Sequence, residues 1–132
     1  MWIILYSMIV KDIMKDPYVI EKDISLVEAA RIMSSKSIGS LIFVSKNRAK
    51  GIVAEGDLLK NFGKNKKISE IMSRNIISVS QEENIDAALK LMKDNKIKRL
   101  PVMDKGKNLI GIITMTDIAA NCDKLEEDFL IN

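Results

Sequence analysis

Two short stretches of the chain have residue types that could hold a small polar ligand. The sequence reads GIITMTDI at Gly111–Ile118 and GIVAEGDL at Gly51–Leu58. In each stretch an apolar strand ends and an aspartate, Asp117 or Asp57, follows shortly afterwards. A carboxylate at the end of a strand can accept hydrogen bonds from the vicinal hydroxyls of a ribose. Thr114 adds a hydroxyl that can donate to a phosphate oxygen, so the pattern favours a nucleotide.

A purely structural role also fits Thr114 and Asp117. A threonine followed three residues later by an acid is typical of a capping box at the start of a helix, and the carboxylate meets the positive end of the helix dipole. In the first stretch, however, Ala54 stands where Thr114 does, and Asp57 is still present. Because an alanine side chain cannot cap, we interpret the repeated aspartate as a ligand-binding residue. Backbone N–H groups at the helix start also favour an anion, whereas two dispersed carboxylates make a poor cation site.

The composition excludes several kinds of catalytic site. The chain has 132 residues, no histidine and a single cysteine, Cys122. Without histidine there is no Ser-His-Asp triad, the commonest general base is missing, and most zinc sites are excluded. Cys122 is interpreted as a packing residue, and a lone cysteine fits a cytoplasmic protein. We therefore expect no catalytic residues and no metal site; the net charge of +3 permits an anionic ligand without requiring one.

The N-terminal stretch MWIILYSMIV is apolar. It is about half the roughly 20 residues needed to cross a bilayer, and it lacks the features of a signal peptide. We therefore expect no membrane span and no export. Residues 1–9 are interpreted as an apolar arm that packs on the body or on a second chain, unless translation naturally begins at Met8.

The chain consists of two similar halves. The stretch that begins DIMKDPYVIEKDISLVEAARIM at Asp12 corresponds to EIMSRNIISVSQEENIDAALKLM from Glu70, and Asp57 and Asp117 stand 60 residues apart. Each half predicts the order strand, helix, strand, strand, helix from its apolar periodicity. The recurring methionines Met14, Met33, Met72 and Met92 are interpreted as core residues.

The predicted elements can be given by residue number. In the first half they are strand 18–20, a helix from the Ser25 cap to about Lys36, strands 41–44 and 51–53, and a helix through Leu58 and Leu59. In the second half they are strand 76–79, helix 85–92, strands 100–103 and 109–113, and a helix from about Met115. Pro101 has no N–H group, so it predicts that its strand lies at a sheet edge or that Pro101 stands at the strand start.

A glycine and three lysines in NFGKNKK, Asn61 to Lys67, are typical of a solvated linker; a nucleic-acid contact is the alternative. We place the domain boundaries accordingly. They are an arm at 1–9, a first repeat at 10–62, a linker at 63–67, a second repeat at 68–122, and a helix end and tail at 123–132.

The paired motifs resemble those of a known family. Each half has an "IM" start, an EAARIM or AALKLM helix, an IGSL or RLPV strand, and a final GIVAEGD or GIITMTD. In this order the motifs are similar to a tandem pair of CBS domains, named after cystathionine β-synthase, over about Val10 to Ala120. The resemblance implies an α+β fold of two β-α-β-β-α repeats that pack about a pseudo-twofold axis through their small sheets. Two clefts would lie between the repeats.

The family resemblance also implies how the ligand-binding residues are shared. Each cleft would take its threonine and aspartate from one repeat and its adenine-side residues from the other. Thr114 and Asp117 would then face the segment from Pro17 that contains Tyr18, Val19 and Ile20, together with Ile38, Gly39 and Ser40. Asp57 would face Ile76, Ile77, Ser78, Lys98 and Arg99, and Ala54 predicts that the two clefts differ in affinity. A structural role is an equal alternative to ligand binding for three of these residues. Gly39 could relieve crowding between strand and helix, and Lys98 and Arg99 could be solvated charges at a strand edge.

Members of this family commonly bind AMP, ADP, ATP or S-adenosylmethionine and form homodimers. The resemblance therefore predicts a non-catalytic regulatory module that senses adenine nucleotides, with no required cofactor and an unknown effector protein. The alternatives are a structural oligomerisation or adaptor module with degenerate clefts, and a binder of S-adenosylmethionine or nucleic acid. Aromatic residues make up only 5% of the chain and offer few stacking platforms for single strands. The effector could contact Trp2 to Tyr6 or the acidic residues Glu126 to Asp128.

Overall fold

The computed structural model describes residues 8–121, and these residues form two compact units. The sheet-1 unit is Pro17–Ile76, and the sheet-2 unit combines residues 8–16 with 77–121. Most of the predicted N-terminal arm, Cys122 and the predicted tail at 123–132 lie outside the described residues. Each unit therefore takes most of its elements from one sequence repeat and the first few residues from the other.

The predicted helices and strands occur in the predicted order in both halves, and each half also begins with a short helix that was not predicted. In chain order they are α1 Val10–Ile13, β1 Val19–Ile20, α2 Leu26–Lys36, β2 Ser40–Ser45, β3 Arg48–Ala54, α3 Glu55–Lys60, α4 Ile68–Ile71, β4 Val79–Ser80, α5 Ile85–Asn95, β5 Arg99–Met103, β6 Leu109–Thr114, and α6 at 115–121. The fold is a mixed α+β fold with two three-stranded sheets, as predicted. The sheet orders are β1-β2-β3 and β4-β5-β6.

The two long helices begin and end in the same way. The Ser25 hydroxyl accepts a hydrogen bond from the Glu28 N–H (3.1 Å) at the start of α2, which confirms the predicted cap. At the start of α5 the Asn84 side chain accepts from the Ala87 N–H (2.7 Å). Each cap satisfies one backbone donor that a helix start leaves without an intrahelical partner. Ser37 and Lys96, both with φ of 54°, end the two helices in the left-handed region.

Each unit has its own apolar core. In the sheet-1 unit Leu41, Val53 and Met33 are buried, and in the sheet-2 unit Leu100, Ile113 and Met92 are buried. Met72 is also buried, and Met14 packs partly buried against the sheet-2 core. The prediction that the four recurring methionines are core residues is therefore confirmed.

The prediction that Pro101 could lie on an edge strand was wrong, whereas Pro101 does precede the point where its strand begins to pair with β4. Pro101 is the third residue of β5, and β5 is the central strand of its sheet. The corresponding residue of the other sheet is Ile42, whose N–H donates to the Tyr18 carbonyl (3.0 Å). Proline cannot make that bond, and pairing of β4 with β5 begins one residue later, at Val79 and Val102. The predicted strand 76–79 is accordingly reduced to Val79–Ser80.

The first residues of each repeat add a short antiparallel bridge to the sheet of their unit. Lys15 and Ile112 exchange two backbone hydrogen bonds of 2.9 and 2.8 Å, and Ser73 and Ile52 do the same at 2.9 and 3.0 Å. A Cβ on Gly111 would lie 2.8 Å from the Met14 Sδ and 3.2 Å from the Lys15 carbonyl oxygen. Glycine at this position therefore allows the 8–16 segment to lie directly on β6.

Candidate functional site

The Thr114 corner, which we define as Lys15 with residues 114–117, lies where β6 ends and α6 begins in the sheet-2 unit. Thr114 is the last residue of β6, and its Oγ accepts a hydrogen bond from the Asp117 N–H (3.1 Å). The same hydroxyl donates to Asp117 Oδ2 (2.8 Å). Asn121 donates its side-chain N–H to the Asp117 carbonyl (2.8 Å), which holds the first turn of α6. The predicted threonine and aspartate are therefore in direct contact.

Lys15 completes this corner and was missed by the sequence interpretation. Its ammonium lies 2.8 Å from Asp117 Oδ1; the side chain of Lys15 is 70% exposed, whereas that of Asp117 is only 13% exposed. The hydrogen bond to Asp117, together with the attraction of the two charges, raises the pKa of Lys15. The signal available in the sequence was the mismatch between Lys15 and Ser73, the residues that follow the paired methionines Met14 and Met72.

The Ala54 corner, which we define as Ser73 with residues 54–57, has the same backbone arrangement in the sheet-1 unit. Here the Ala54 N–H donates to Asp57 Oδ2 (2.8 Å), and Asn61 donates to the Asp57 carbonyl (2.8 Å). The inference that Ala54 excludes a capping role for Asp57 was therefore wrong. In a capping box the acidic side chain accepts a hydrogen bond from the backbone N–H of the N-cap residue. This bond does not depend on the N-cap side chain, so alanine can make it.

The first residue of each central strand, and the residue before it, lie beside these corners. Ser40 is paired with Ala54, and the Glu55 N–H donates to the Gly39 carbonyl (3.3 Å). In the other unit Arg99 is paired with Thr114, and the Met115 N–H donates to the Lys98 carbonyl (2.8 Å). The structure thus groups Gly39 and Ser40 with Asp57, and Lys98 and Arg99 with Asp117, inside their own units.

The other predicted ligand-binding residues divide between the two units. The sheet-1 unit holds Tyr18, Val19, Ile20, Ile38 and Ile76, and the sheet-2 unit holds Ile77 and Ser78. Tyr18 and Val19 are 39% and 43% exposed. The cross-repeat combinations implied by the family resemblance stay a prediction.

Among residues 8–121, no three histidine, cysteine, aspartate or glutamate side chains are grouped so that they could hold a metal ion. None of the helices in this part of the chain is both long and apolar enough to cross a membrane.

Two similar halves, each with a three-stranded sheet and an aspartate at a strand-to-helix corner, define a tandem α+β repeat protein. The CBS domain family model matches residues 10–64 and 68–123, which together are most of the chain. This chain belongs to the CBS domain family.

Solved structures agree with this assignment. The CBS domain pair of protein MJ0100, in complex with 5′-methylthioadenosine and S-adenosyl-L-methionine, is 34% identical with a TM-score of 0.82. That similarity covers 89% of this chain and 97% of the MJ0100 chain. CBSX2 in complex with AMP is 25% identical with a TM-score of 0.77, over 89% of this chain and 98% of CBSX2.

The curated relatives are longer proteins. The L-aspartate semialdehyde sulfurtransferase of Methanocaldococcus jannaschii is 38% identical over 84% of this chain, which spans 22% of that protein. The homoserine O-acetyltransferase of Methanohalobium evestigatum is 37% identical over 91% of this chain, which spans 24% of that protein. The uncharacterized protein MJ1232 of M. jannaschii is 32% identical over 79% of this chain, which spans 36% of it. The chain therefore spans only 22% to 36% of the length of each of these relatives.

Proposed function

We propose that the chain is a regulatory module that binds adenine nucleotides, AMP, ADP or ATP, and that Asp117 and Asp57 bind the ribose. The observation that carries the proposal is the Thr114 corner. There the mostly buried carboxylate of Asp117 already accepts a hydrogen bond from the Thr114 hydroxyl and forms an ion pair with the Lys15 ammonium. Ribose hydroxyls are donors of the same kind and can share or replace these contacts.

The ligands of related proteins support an adenosyl compound. The MJ0100 pair holds 5′-methylthioadenosine and S-adenosyl-L-methionine, and CBSX2 holds AMP. These three ligands share adenine and ribose and differ only in the substituent at the 5′ carbon. The shared nucleoside is the part that a ribose-binding aspartate recognises, whereas the choice of a nucleotide over a thioether is the specific content of the proposal.

We assign the base side of the ligand to the residues that the family resemblance indicated. For the Asp117 site these are Tyr18, Val19, Ile20, Ile38, Gly39 and Ser40, and for the Asp57 site Ile76, Ile77, Ser78, Lys98 and Arg99. Exposed apolar groups such as Tyr18 and Val19 can contact a flat base, and the absent side chain of Gly39 permits close approach.

The proposed output is regulation and not catalysis. Ligand binding to the folded state stabilises it by mass action, by about 2.7 kcal/mol at 100 times the dissociation constant. The two relatives named as enzymes are matched over 22% and 24% of their lengths, so the matched region is a small part of each. An adaptor module with degenerate binding sites remains the alternative and predicts no ligand.

We further propose that the module is a homodimer. Leu59 at the end of α3 and Phe62 just beyond it are 75% and 84% exposed, and a second copy of the chain could cover both. The related CBS-CP12 protein, 27% identical, is described as hexameric, so self-association occurs among such folds. A monomeric mass for the wild type in light scattering would overturn this part of the proposal. The Leu59→Lys variant should have a lower mean mass than the wild type, because the charge disfavours the dimer.

Calorimetry on ligand-stripped protein tests the proposed function. AMP, ADP, ATP and S-adenosylmethionine are titrated into the wild type, Asp117→Asn, Asp57→Asn and a control, Asp94→Asn. Asp94 is an exposed residue of α5, remote in sequence from both corners. We expect each site variant to weaken or remove one binding event and the control to match the wild type. Absence of binding by all four compounds would overturn the nucleotide-sensing function and favour the adaptor.

A further inference from the structure

Lys15 gives the Thr114 corner a charge that its counterpart lacks. Its ammonium lies 2.8 Å from Asp117 Oδ1, so the carboxylate and the lysine form a pair with no net charge. In the Ala54 corner the corresponding position is Ser73, which makes the same backbone bridge but carries no charge. Two corners with the same backbone arrangement therefore present different electrostatic environments to a ligand.

A structural role does not account well for Lys15. Its side chain is 70% exposed, and exposed ion pairs contribute little to stability because water and salt screen them. The position of the segment is already fixed by the backbone bridge to Ile112 and by the contact of Met14 with Gly111. Asp117 is also already oriented by the Thr114 hydroxyl. The ammonium is thus in excess of what the local fold requires.

The chemistry of the pair suits a phosphate next to a ribose. A lysine ammonium has three donors on a flexible stem, so it can stay near the carboxylate and also reach an anion bound beside it. Without the lysine, Asp117 would repel a phosphate placed next to the sugar it holds. With the lysine, the corner accepts a ribose and tolerates or attracts a negatively charged 5′ substituent.

We propose that Lys15 is the residue that makes the Asp117 site select adenosyl ligands with a 5′ phosphate over uncharged or cationic ones. The selection rests on the proposed function, because it requires that Asp117 binds an adenosyl ribose. The Asp57 site, with Ser73 in place of Lys15, lacks this source of selection. The two corners therefore differ in the charge that they place beside the ribose, whatever Lys98 and Arg99 contribute from the base side of the Asp57 site.

A series of three ligands tests the proposal: AMP is anionic, 5′-methylthioadenosine is neutral, and S-adenosylmethionine carries a sulfonium. Each is titrated calorimetrically into Asp57→Asn protein, so that the Asp117 site is measured alone, with Lys15, Lys15→Met, Lys15→Arg or a control, Lys11→Met. Asparagine keeps an acceptor for the Ala54 N–H, which preserves the other corner. Lys11 is an exposed lysine of the same segment that lies in α1.

We expect Lys15→Met to lower the affinity for AMP by about tenfold, which is the size of effect that the loss of one nearby charge produces at an intermediate dielectric constant. The same substitution should change the affinity for 5′-methylthioadenosine by less than about twofold. The affinity for S-adenosylmethionine should be unchanged or higher. Lys15→Arg should retain most AMP binding, and Lys11→Met should match the parent. Raising the salt concentration should reduce the AMP difference.

Two results overturn the proposal while leaving the proposed function intact. If Lys15→Met weakens AMP and 5′-methylthioadenosine equally, Lys15 only positions Asp117. If AMP binding is unchanged, Lys15 has no part in the site. Failure of the Lys15-containing protein to bind any of the three compounds, in the presence and absence of the Asp57 substitution, removes the adenosyl function itself and this proposal with it.

Discussion

At the Thr114 corner two side chains hold the aspartate carboxylate, whereas at the Ala54 corner a backbone N–H holds it. The strands, the bridges and the helix starts around them are otherwise the same. The comparison teaches that the repeated aspartate has a structural function in both repeats, because each carboxylate interacts within the first turn of its helix. Of the four paired positions at which the corners differ in sequence, two contact the aspartate at the Thr114 corner, namely Lys15 and Thr114, and their counterparts are Ser73 and Ala54.

The largest expected effect comes from the two glycines that let the bridging segments approach the sheets. A Cβ on Gly51 would collide with the Met72 side chain, with Sδ nearest and Cγ at 2.7 Å. On Gly111 it would meet the Met14 side chain and, in addition, the Lys15 carbonyl oxygen at 3.2 Å. We expect Gly51→Ala and Gly111→Ala each to lower the free energy of unfolding by about 1–3 kcal/mol, measured by urea denaturation.

Second substitutions sharpen this comparison. With Met72→Ala as background, Gly51→Ala should cost much less, because the three atoms nearest to the added Cβ all belong to the Met72 side chain and are removed. With Met14→Ala as background, Gly111→Ala should retain part of its cost, because the Lys15 carbonyl is backbone and remains in place. Equal relief in both double-mutant cycles would contradict the difference drawn between the two corners.

The second prediction exchanges the helix caps. Thr114→Ala removes the acceptor of the Asp117 N–H and the donor to the carboxylate, and such caps are typically worth about 1 kcal/mol. Ala54→Thr should stabilise the other corner by up to a similar amount, since Ala54 already has the extended backbone of a cap (φ −112°, ψ 169°). Denaturation midpoints measure both changes, and Thr114→Ser, which keeps the hydroxyl, serves as the control.

If Ala54→Thr destabilises the protein, the two corners are not equivalent in backbone geometry, and the comparison fails at its first step. If both substitutions act as expected, the fold tolerates a hydroxyl at position 54, and folding does not explain why alanine is found there. The AMP affinities of the Thr114→Ala and Ala54→Thr variants can then be compared, because both variants are folded.

Much of the fold could be predicted from the sequence because the apolar period and the caps are local signals. Ser25 and the spacing of Leu26, Ala29 and Met33 determine α2, and the same pattern recurs in α5. Pro101 was misplaced because its tolerance in the central strand depends on where β4 begins to pair, which is a property of two strands and not of one. The exchange of the first segments between repeats depends on long-range backbone bonds that leave no periodic pattern.

The site was predicted only in part for the same reason. Thr114 and Asp117 are three residues apart, so their contact follows from the first turn of a helix. Lys15 reaches Asp117 across about a hundred residues of sequence through the bridge to Ile112, and no local rule predicts that contact. The repeated halves nevertheless contained a usable signal, since a position that differs in charge between otherwise similar repeats is a candidate for a difference in ligand.

The third prediction concerns how the two short helices of the bridging segments are held. In the sheet-1 unit Asp23 accepts from the Ser69 N–H (3.0 Å) and hydroxyl (2.6 Å). In the sheet-2 unit the corresponding Lys11 N–H donates to a backbone carbonyl, that of Gln81 (2.9 Å). The hydrogen bond from the Ser69 hydroxyl lowers the pKa of Asp23 below its ordinary value of 3.8. Only the sheet-1 attachment therefore depends on a titrating side chain at this position.

Because the pKa of Asp23 is lower in the folded state, its contribution to stability is present above the unfolded pKa and is lost as the pH falls through the folded pKa. We expect Asp23→Asn to cost about 1 kcal/mol at pH 7, and the difference from wild type to shrink below about pH 4. Urea denaturation at pH 7, 5 and 3 measures it, with Asp16→Asn, an exposed carboxylate, as the control. A difference that is constant over this range would mean that the ionised form of Asp23 is not what Ser69 recognises.

The smallest expected effect comes from transferring the charge of Lys15 to the other corner. In Asp117→Asn protein, so that the Asp57 site is measured alone, Ser73→Lys should favour AMP over 5′-methylthioadenosine by about two- to threefold. The gain should be smaller than the loss in Lys15→Met because Asp57 Oδ2 already accepts from the Ala54 N–H, and an introduced lysine must lose rotamer freedom to stay near the carboxylate. Ser73→Gln, of similar length and without charge, is the control. If Ser73→Gln produces the same preference, length and not charge determines it, and the electrostatic distinction between the two corners does not extend to their ligands.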